Sequence, residues 1–82
     1  MFHKITKVTP LIDYCLKVTF EGNITKIYDV KPLFDRFDIF NHLKENNLFN
    51  DVHVDQGGYG VIWNEQIDLS AEEIFTNGKE AM

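Results

Sequence analysis

The chain has 82 residues, of which 44% are hydrophobic and 13% aromatic. This size predicts one domain over residues 1–82 with a small core and little room for a deep catalytic cavity, and this composition argues against a disordered chain. The 13 acidic and 8 basic residues give a formal charge of -5, which disfavours nucleic-acid binding, because that function needs clustered Lys and Arg, and suits a basic partner.

Cys15 is the only cysteine, so a disulfide within the chain is excluded. Small domains that lack such bridges are typical of reducing compartments, which predicts a cytoplasmic protein. No apolar run approaches the roughly eighteen residues that a membrane span requires. We therefore expect a soluble chain without membrane contact.

The first half of the sequence predicts three strands. Residues Ile5 to Leu11 are rich in Ile, Thr and Val, and Pro10 favours an edge or a strand end. The next segment alternates, with one apolar face formed by Tyr14, Leu16, Val18 and Phe20. A turn at residues 21–23 then leads into a third strand over residues 24–30, with a core face formed by Ile24, Tyr28 and Val30.

Helical signals follow these strands. Pro32 fixes φ for a first helical turn, which includes Leu33, Phe34 and Phe37. Asp38 is suited to N-cap a central helix from Ile39 to Asn46. One buried stripe of this helix is formed by Ile39, Phe40 and Leu43.

A second hairpin and a terminal helix are expected after Phe49. Val52 and Val54 alternate with polar residues, and a turn at Gln56-Gly57-Gly58 leads into a strand from Tyr59 to Trp63. The helix start combines a reciprocal capping box with a hydrophobic staple, formed by Ser70 with Glu73 and by Leu69 with Ile74. Gly78 is suited to end this helix, and residues 77–82 are expected to be a frayed tail. Together these elements predict an α+β fold in which a small, mostly antiparallel sheet, in the order β-β-β-α-β-β-α, packs against two helices.

Apolar and turn residues spread over nearly the whole chain resemble a bacterial family, the domain of unknown function 2442. The residues that carry this resemblance are Tyr14, Leu16, Val18, Phe20, Gly22, Asp29, Leu33, Phe40, Leu43, Phe49, Val52, Trp63, Asp68 and Leu69. The resemblance implies an α+β fold and supplies no catalytic residues. It also implies relatives that carry a helix-turn-helix domain after this module or take part in toxin-antitoxin gene pairs. Because the sequence ends after one helix, we expect it to act through protein contacts.

Several residues could carry chemistry, and each has a simpler structural interpretation. His3, His42 and His53 lack zinc-site spacing. The glycines of residues 57–60 precede a strand, whereas phosphate loops open a helix, so a turn is favoured. A lone Cys15 on a strand favours packing over nucleophilic catalysis. These patterns predict no metal, no cofactor and no enzyme activity.

Carboxylates and aromatic residues leave further alternatives open. Asp29 and Asp68 are expected to cap backbone amides at element boundaries, although they could form an acid-base pair if they met in a pocket. Core packing is favoured over base stacking for Tyr28, Tyr59 and Trp63, although a weak basic patch remains open in the first half, at Lys4, Lys7, Lys17, Lys26 and Lys31. The second half is acidic, and its candidate interaction surface comprises Asp51, Asp55, Glu65, Asp68, Glu72 and Glu73.

The leading functional hypothesis is therefore a small non-enzymatic module that binds a protein partner, as an antitoxin-like or regulatory component. An alternative is an acidic inhibitor whose carboxylates mimic phosphates in order to block a nucleic-acid-binding complex. A second alternative is a small enzyme of unknown reaction, which would need ionisable groups converging in a pocket. Self-association through the edge strand that contains Pro10 would give a homodimer.

Overall fold

A computed structural model describes residues 3–81 of the chain. The strands in this part are β1 (Ile5–Pro10), β2 (Cys15–Phe20), β3 (Ile24–Asp29), β4 (His53–Val54), β5 (Gly60–Asn64), β6 (Ile67–Ser70) and β7 (Lys79–Glu80). The α-helices are α1 (Lys31–Arg36) and α2 (Ala71–Asn77). Segments of 3-10 helix cover Ile12–Tyr14, Asp38–Lys44 and Leu48–Asp51.

The α+β class is confirmed, but the strands divide into two antiparallel sheets. One sheet has the order β1-β2-β3-β7, and the other has the order β4-β5-β6. The predicted first hairpin is confirmed by residue pairs from Phe20↔Ile24 to Cys15↔Asp29. The prediction lacked β6 and β7, which it had assigned to a helix connection and to the tail.

One core lies between the sheets and the helices. The inward face predicted for β2 is confirmed, because Leu16, Val18 and Phe20 are all buried. Trp63 is also buried, and its Nε1 donates to the carbonyl oxygen of Phe49 at 3.0 Å. Burial of this aromatic ring is favourable because its one polar group has a hydrogen-bond partner.

The predicted central α-helix is wrong, since residues 38–44 form a 3-10 helix. Phe37 stands at the N-cap position with extended backbone, and no side chain caps this end. Asn41 donates to the carbonyl oxygens of Phe34 and Asp38, a local bond that competes with helix formation. Phe40 and Leu43 are buried, and their spacing of three residues fits the three residues per turn of a 3-10 helix.

The terminal helix begins as predicted, but only half of its capping box forms. Ser70 Oγ accepts from the amide of Glu73 at 3.1 Å. The Glu73 carboxylate does not reach back to the N-cap, because it accepts from Tyr28 and Asn77 instead. Gly78 ends the helix with φ of -76°, so its role there does not depend on left-handed backbone.

Three further differences concern strand ends. The second hairpin has a longer turn than predicted, since β5 starts at Gly60 and Tyr59 lies in the turn. Ile24 is 39% exposed although it was predicted to face the core. The predicted frayed tail contains β7, which pairs with β3, while Met82 lies outside the residues that the structure describes.

Over residues 3–81, no helix combines the length and apolarity needed to cross a membrane.

Candidate protein-interaction surface

A groove of about 310 Å³ separates β6 from the chain segment that includes α1 and the residues after it. We call it the β6 groove. One wall is largely apolar and is formed by Leu33, Phe37, Ile39 and Phe40, while the opposite wall is β6 itself, at Asp68, Leu69 and Ser70. The groove therefore combines an apolar surface with the edge strand of the three-stranded sheet.

The Phe37 ring packs beside the aromatic core and is partly exposed at the molecular surface. Its side chain is 48% exposed, whereas Phe40 beside it is 7% exposed. The centroids of these two rings lie 6.1 Å apart, and the Phe40 and Trp63 rings lie 6.2 Å apart in an edge-to-face arrangement. A large aromatic ring that is supported by the core and still half-exposed is suited to contact a partner.

Arg36, the only arginine in the chain, lies beside this ring. Its guanidinium carbon is 5.3 Å from the centroid of Phe37, a favourable cation-π distance. The side chain lines the β6 groove and has no ion pair within residues 3–81. Its planar donors are therefore available for a carboxylate from outside the chain.

Glu73, which also lines the β6 groove, makes two polar contacts within the fold. Glu73 accepts from the hydroxyl of Tyr28 at 2.8 Å and from Nδ2 of Asn77 at 3.0 Å. Burial raises the pKa of the Tyr28 hydroxyl, and the hydrogen bond to Glu73 raises it further. The hydroxyl therefore remains a protonated donor, and the Glu73 carboxylate is engaged within the fold.

The two carboxylates considered as an acid-base pair line different hollows. Asp29 borders a hollow of about 500 Å³ near α1, and Asp68 borders the β6 groove. Burial raises the pKa of Asp29, but hydrogen bonds from the side chain and backbone of Lys31 outweigh it and leave the pKa below its usual value. The capping prediction is confirmed for Asp29, whose Oδ1 accepts from the Lys31 amide at 3.0 Å, while Asp68 lies within β6 rather than at a boundary.

The acidic candidates divide into exposed and engaged groups. Three of the carboxylates form hydrogen bonds within the fold. Asp55 accepts from two turn amides, Glu72 contacts His3, and Glu73 accepts from Tyr28. The hydrogen bond from His3 lowers the pKa of Glu72. The remaining three candidates, Asp51, Glu65 and Asp68, lie in exposed positions on a 3-10 segment, a turn and β6.

The histidines occupy separate positions in the fold. His3 stacks on Phe75 with ring centroids 3.6 Å apart, His42 lies 3.4 Å from Glu45, and His53 Nδ1 lies 3.1 Å from a backbone oxygen. Among residues 3–81, no three His, Cys, Asp or Glu side chains gather in a way that could hold a metal ion. The Sγ atom of Cys15 lies 3.7 Å from the carbonyl oxygen of Asp13.

The lysines of the predicted basic patch lie in different surroundings in the fold. Lys7 and Lys17 are exposed on the outer face of the four-stranded sheet, whereas Lys26 lies over the ring of Phe75 at 4.8 Å. Lys31 pairs with the carboxylates of Asp13 and Asp29 at 3.1 and 3.0 Å. Core packing is confirmed for two of the three aromatic candidates, Tyr28 and Trp63, while Tyr59 is 64% exposed.

The connection between β1 and β2, at Ile12–Tyr14, is a second exposed apolar position. Ile12 is 90% exposed, and the two residues after it have positive φ, 62° at Asp13 and 57° at Tyr14. Residues other than glycine seldom adopt this backbone. Lys31 holds this connection, because its Nζ donates to the Asp13 carbonyl oxygen at 2.6 Å.

Sequence reasoning did not identify the β6 groove. Phe37 had been assigned to helix packing, and Arg36 had not been considered. One signal was present, namely an aromatic residue placed between Arg36 and Asp38 in a charged stretch. The groove itself also depends on β6, which had not been predicted.

Comparisons with curated proteins and with solved structures gave no match. One family profile, described as "Protein of unknown function (DUF2442)", matches residues 5–80. This range covers every residue of both sheets and both helices, and it agrees with the resemblance seen in the sequence. The chain belongs to the DUF2442 family of proteins of unknown function.

Proposed function

We propose that this chain is a small non-enzymatic module that binds a protein partner in the cytoplasm, as an antitoxin-like or regulatory component. The observation that carries the proposal is the half-exposed Phe37 in the β6 groove, beside Arg36, which has no ion pair among the described residues. Aromatic residues and arginine are enriched at protein interfaces and frequently dominate binding energy. The free thiol of Cys15 fits a reducing compartment.

The ionisable groups of the hollow near α1 support a structural role rather than catalysis. A general acid or base needs a pKa near the working pH and a free position toward a substrate. The Tyr28 hydroxyl has a raised pKa and donates to Glu73, and Asp29 is held by Lys31 with a lowered pKa. These groups serve the fold through their hydrogen bonds.

Affinity purification from the native host tests the proposal. The tagged wild-type chain should recover one protein in stoichiometric amount, and the recombinant pair should reassemble. Phe37→Asp should weaken the complex by about tenfold or more, because it places a charge in the apolar contact. Ile12→Asp is the matched control, since it makes the same kind of change at an exposed apolar residue that does not line the β6 groove. Recovery of no stoichiometric partner by the wild-type chain would contradict the proposal.

The antitoxin-like role has its own test. Expression of the recovered partner alone should arrest growth, and co-expression of the wild-type chain should restore it. The Phe37→Asp variant should fail to restore growth while Ile12→Asp succeeds. A partner that is harmless when expressed alone would leave a regulatory role and exclude the antitoxin.

The acidic inhibitor remains a second candidate because of the exposed carboxylates of Asp51, Glu65 and Asp68. It would bind a basic, nucleic-acid-binding protein through charge complementarity. Charge reversal at Glu65 and Asp68 should then abolish inhibition of the recovered target, and this loss should grow as the salt concentration falls. Unchanged inhibition would exclude this candidate.

A further inference from the structure

We propose that the β6 groove holds an extended segment of the partner protein, which pairs with β6 as a fourth strand of the three-stranded sheet. This inference rests on the proposed function and specifies how the partner is held. Within residues 3–81 the sheet has the order β4-β5-β6, so in this part of the chain one edge of β6 has no neighbouring strand. Extended peptides bind other proteins by adding a strand at such an edge.

The hydrogen-bond pattern shows which backbone groups are open. The amide of Ala71 donates to the carbonyl oxygen of Tyr59 at 2.8 Å, and the same register pairs Leu69 with Val61. Residues of an antiparallel strand alternate between pointing toward one neighbour and toward the other. The N–H and C=O of Asp68 and the N–H of Ser70 therefore point away from β5.

These open groups lie on the side of the β6 groove. The groove is lined by β6 and by residues 33–40, and no residue of β5 lines it. A strand seated beside β6 would therefore lie between the open backbone groups and the apolar wall. It would pair with Asp68 and Ser70 through its backbone and cover Phe37 with a side chain.

The two walls define the chemistry of the segment. Side chains on the Leu69 side of the added strand would face the apolar wall, because successive residues of a strand point to opposite faces. Side chains on the Asp68 side would face solvent beside the exposed Asp68 carboxylate, which has no ion pair in the part of the chain that the structure describes. A basic residue opposite Asp68 and an acidic group near Arg36 would complement these charges. The segment is thus extended, with apolar residues alternating with polar ones, one basic residue opposite Asp68, and a carboxylate within reach of Arg36.

The other sheet edges are less suited to this role. β1 is an edge strand, but Pro10 lacks an N–H and interrupts its open side. β4 and β7 have only two residues each, His53–Val54 and Lys79–Glu80. β6 combines several open backbone groups with an adjacent apolar wall.

Selection from a phage-displayed library of random linear peptides tests the inference. Peptides enriched on the wild-type chain and depleted on Phe37→Asp should share alternating apolar residues with an interposed Lys or Arg. Their affinity should fall about tenfold with Phe37→Asp and should not change with Ile12→Asp. Arg36→Glu should weaken peptides that carry a carboxylate, whereas Lys17→Glu should not. The fluorescence of Trp63 checks that each variant is folded.

Amide hydrogen exchange then identifies the binding mode. In the free chain, the amides of Asp68 and Ser70 should exchange faster than that of Leu69, which pairs with β5. A selected peptide should slow exchange at Asp68 and Ser70. Unchanged exchange at both amides, or no peptide that distinguishes wild type from Phe37→Asp, would overturn the inference. A native partner that still binds Phe37→Asp would also overturn it while leaving the proposed function intact.

Discussion

Replacing Phe37 by alanine should cost much less stability than the same change at Phe40. Full burial of a phenylalanine side chain contributes about 1.5–3 kcal/mol, and Phe37 is 48% exposed, so its loss should cost about 1 kcal/mol. Phe40 is 7% exposed and contacts the core aromatics, so Phe40→Ala should cost about 3–5 kcal/mol. That loss approaches the whole stability of a small domain, which is about 5–10 kcal/mol.

Urea unfolding monitored by circular dichroism and by Trp63 fluorescence measures both changes. Trp63 is the only tryptophan, and its ring centroid lies 6.0 Å from that of Phe49, so its emission reports core packing. Phe37→Ala should lower the unfolding midpoint slightly with the same slope. The same variant should lose partner binding, because its ring is free to contact another protein.

Equal losses of stability for the two variants would refute this reasoning. Phe37 would then be a core residue, and the apolar wall of the β6 groove would serve the fold alone. Wild-type partner affinity in Phe37→Ala would refute the binding role of the ring. Phe37→Leu provides an intermediate control, since it keeps apolar volume but removes the aromatic face.

Further outcomes follow from the caps, the turns and the buried hydroxyl. Ser70→Ala should lower the free energy of unfolding by about 1 kcal/mol in urea titrations, since it removes the N-cap of α2, and an unchanged midpoint would contradict that role. Gly78→Ala should destabilise the chain more than an ordinary exposed substitution, because the added Cβ would lie 2.6 Å from the Ile74 carbonyl oxygen and 3.1 Å from Lys26 Cβ. An unaffected melting temperature would argue against this close approach. Alkaline titration of phenolate absorbance should show Tyr28 ionising above the ordinary tyrosine pKa of 10.0, and Tyr28→Phe should remove that late step.

The sign of the alkaline effect follows from proton binding. Burial and the bond to Glu73 raise the pKa of Tyr28 in the folded chain above the ordinary value of 10.0. The folded state therefore keeps this proton at a pH where the unfolded state has lost it. The stabilisation is complete below about pH 10 and is lost as pH rises above that value. Tyr28→Phe should show a smaller alkaline loss of stability than wild type.

Local patterns in the sequence predicted the elements that depend on local physics. Alternation identified the core face of β2, because a strand with one buried face must alternate. Ser70 identified the start of α2, because its hydroxyl satisfies an amide that the helix leaves open. Tertiary competition changed the partner of Glu73, since Tyr28 reaches its carboxylate from β3.

Other features required knowledge of contacts that are distant in sequence. The short segment at residues 38–44 contains both polar and apolar residues, and its choice of 3-10 rather than α-helix depends on where Phe40 and Leu43 pack. β6 has four residues and gains its partner only when β5 lies beside it. The β6 groove depends on the packing of residues 38–44 and on β6. The sequence alone therefore indicated the acidic residues as an interaction surface, and it did not indicate Phe37 and Arg36.

The most direct measurement is the set of nuclear Overhauser contacts between isotope-labelled chain and unlabelled native partner in their purified complex. Our account predicts contacts from the backbone of Asp68 and Ser70 to an extended partner segment, together with contacts from the Phe37 ring to an apolar partner side chain. A complex in which the partner contacts neither β6 nor Phe37 would contradict it.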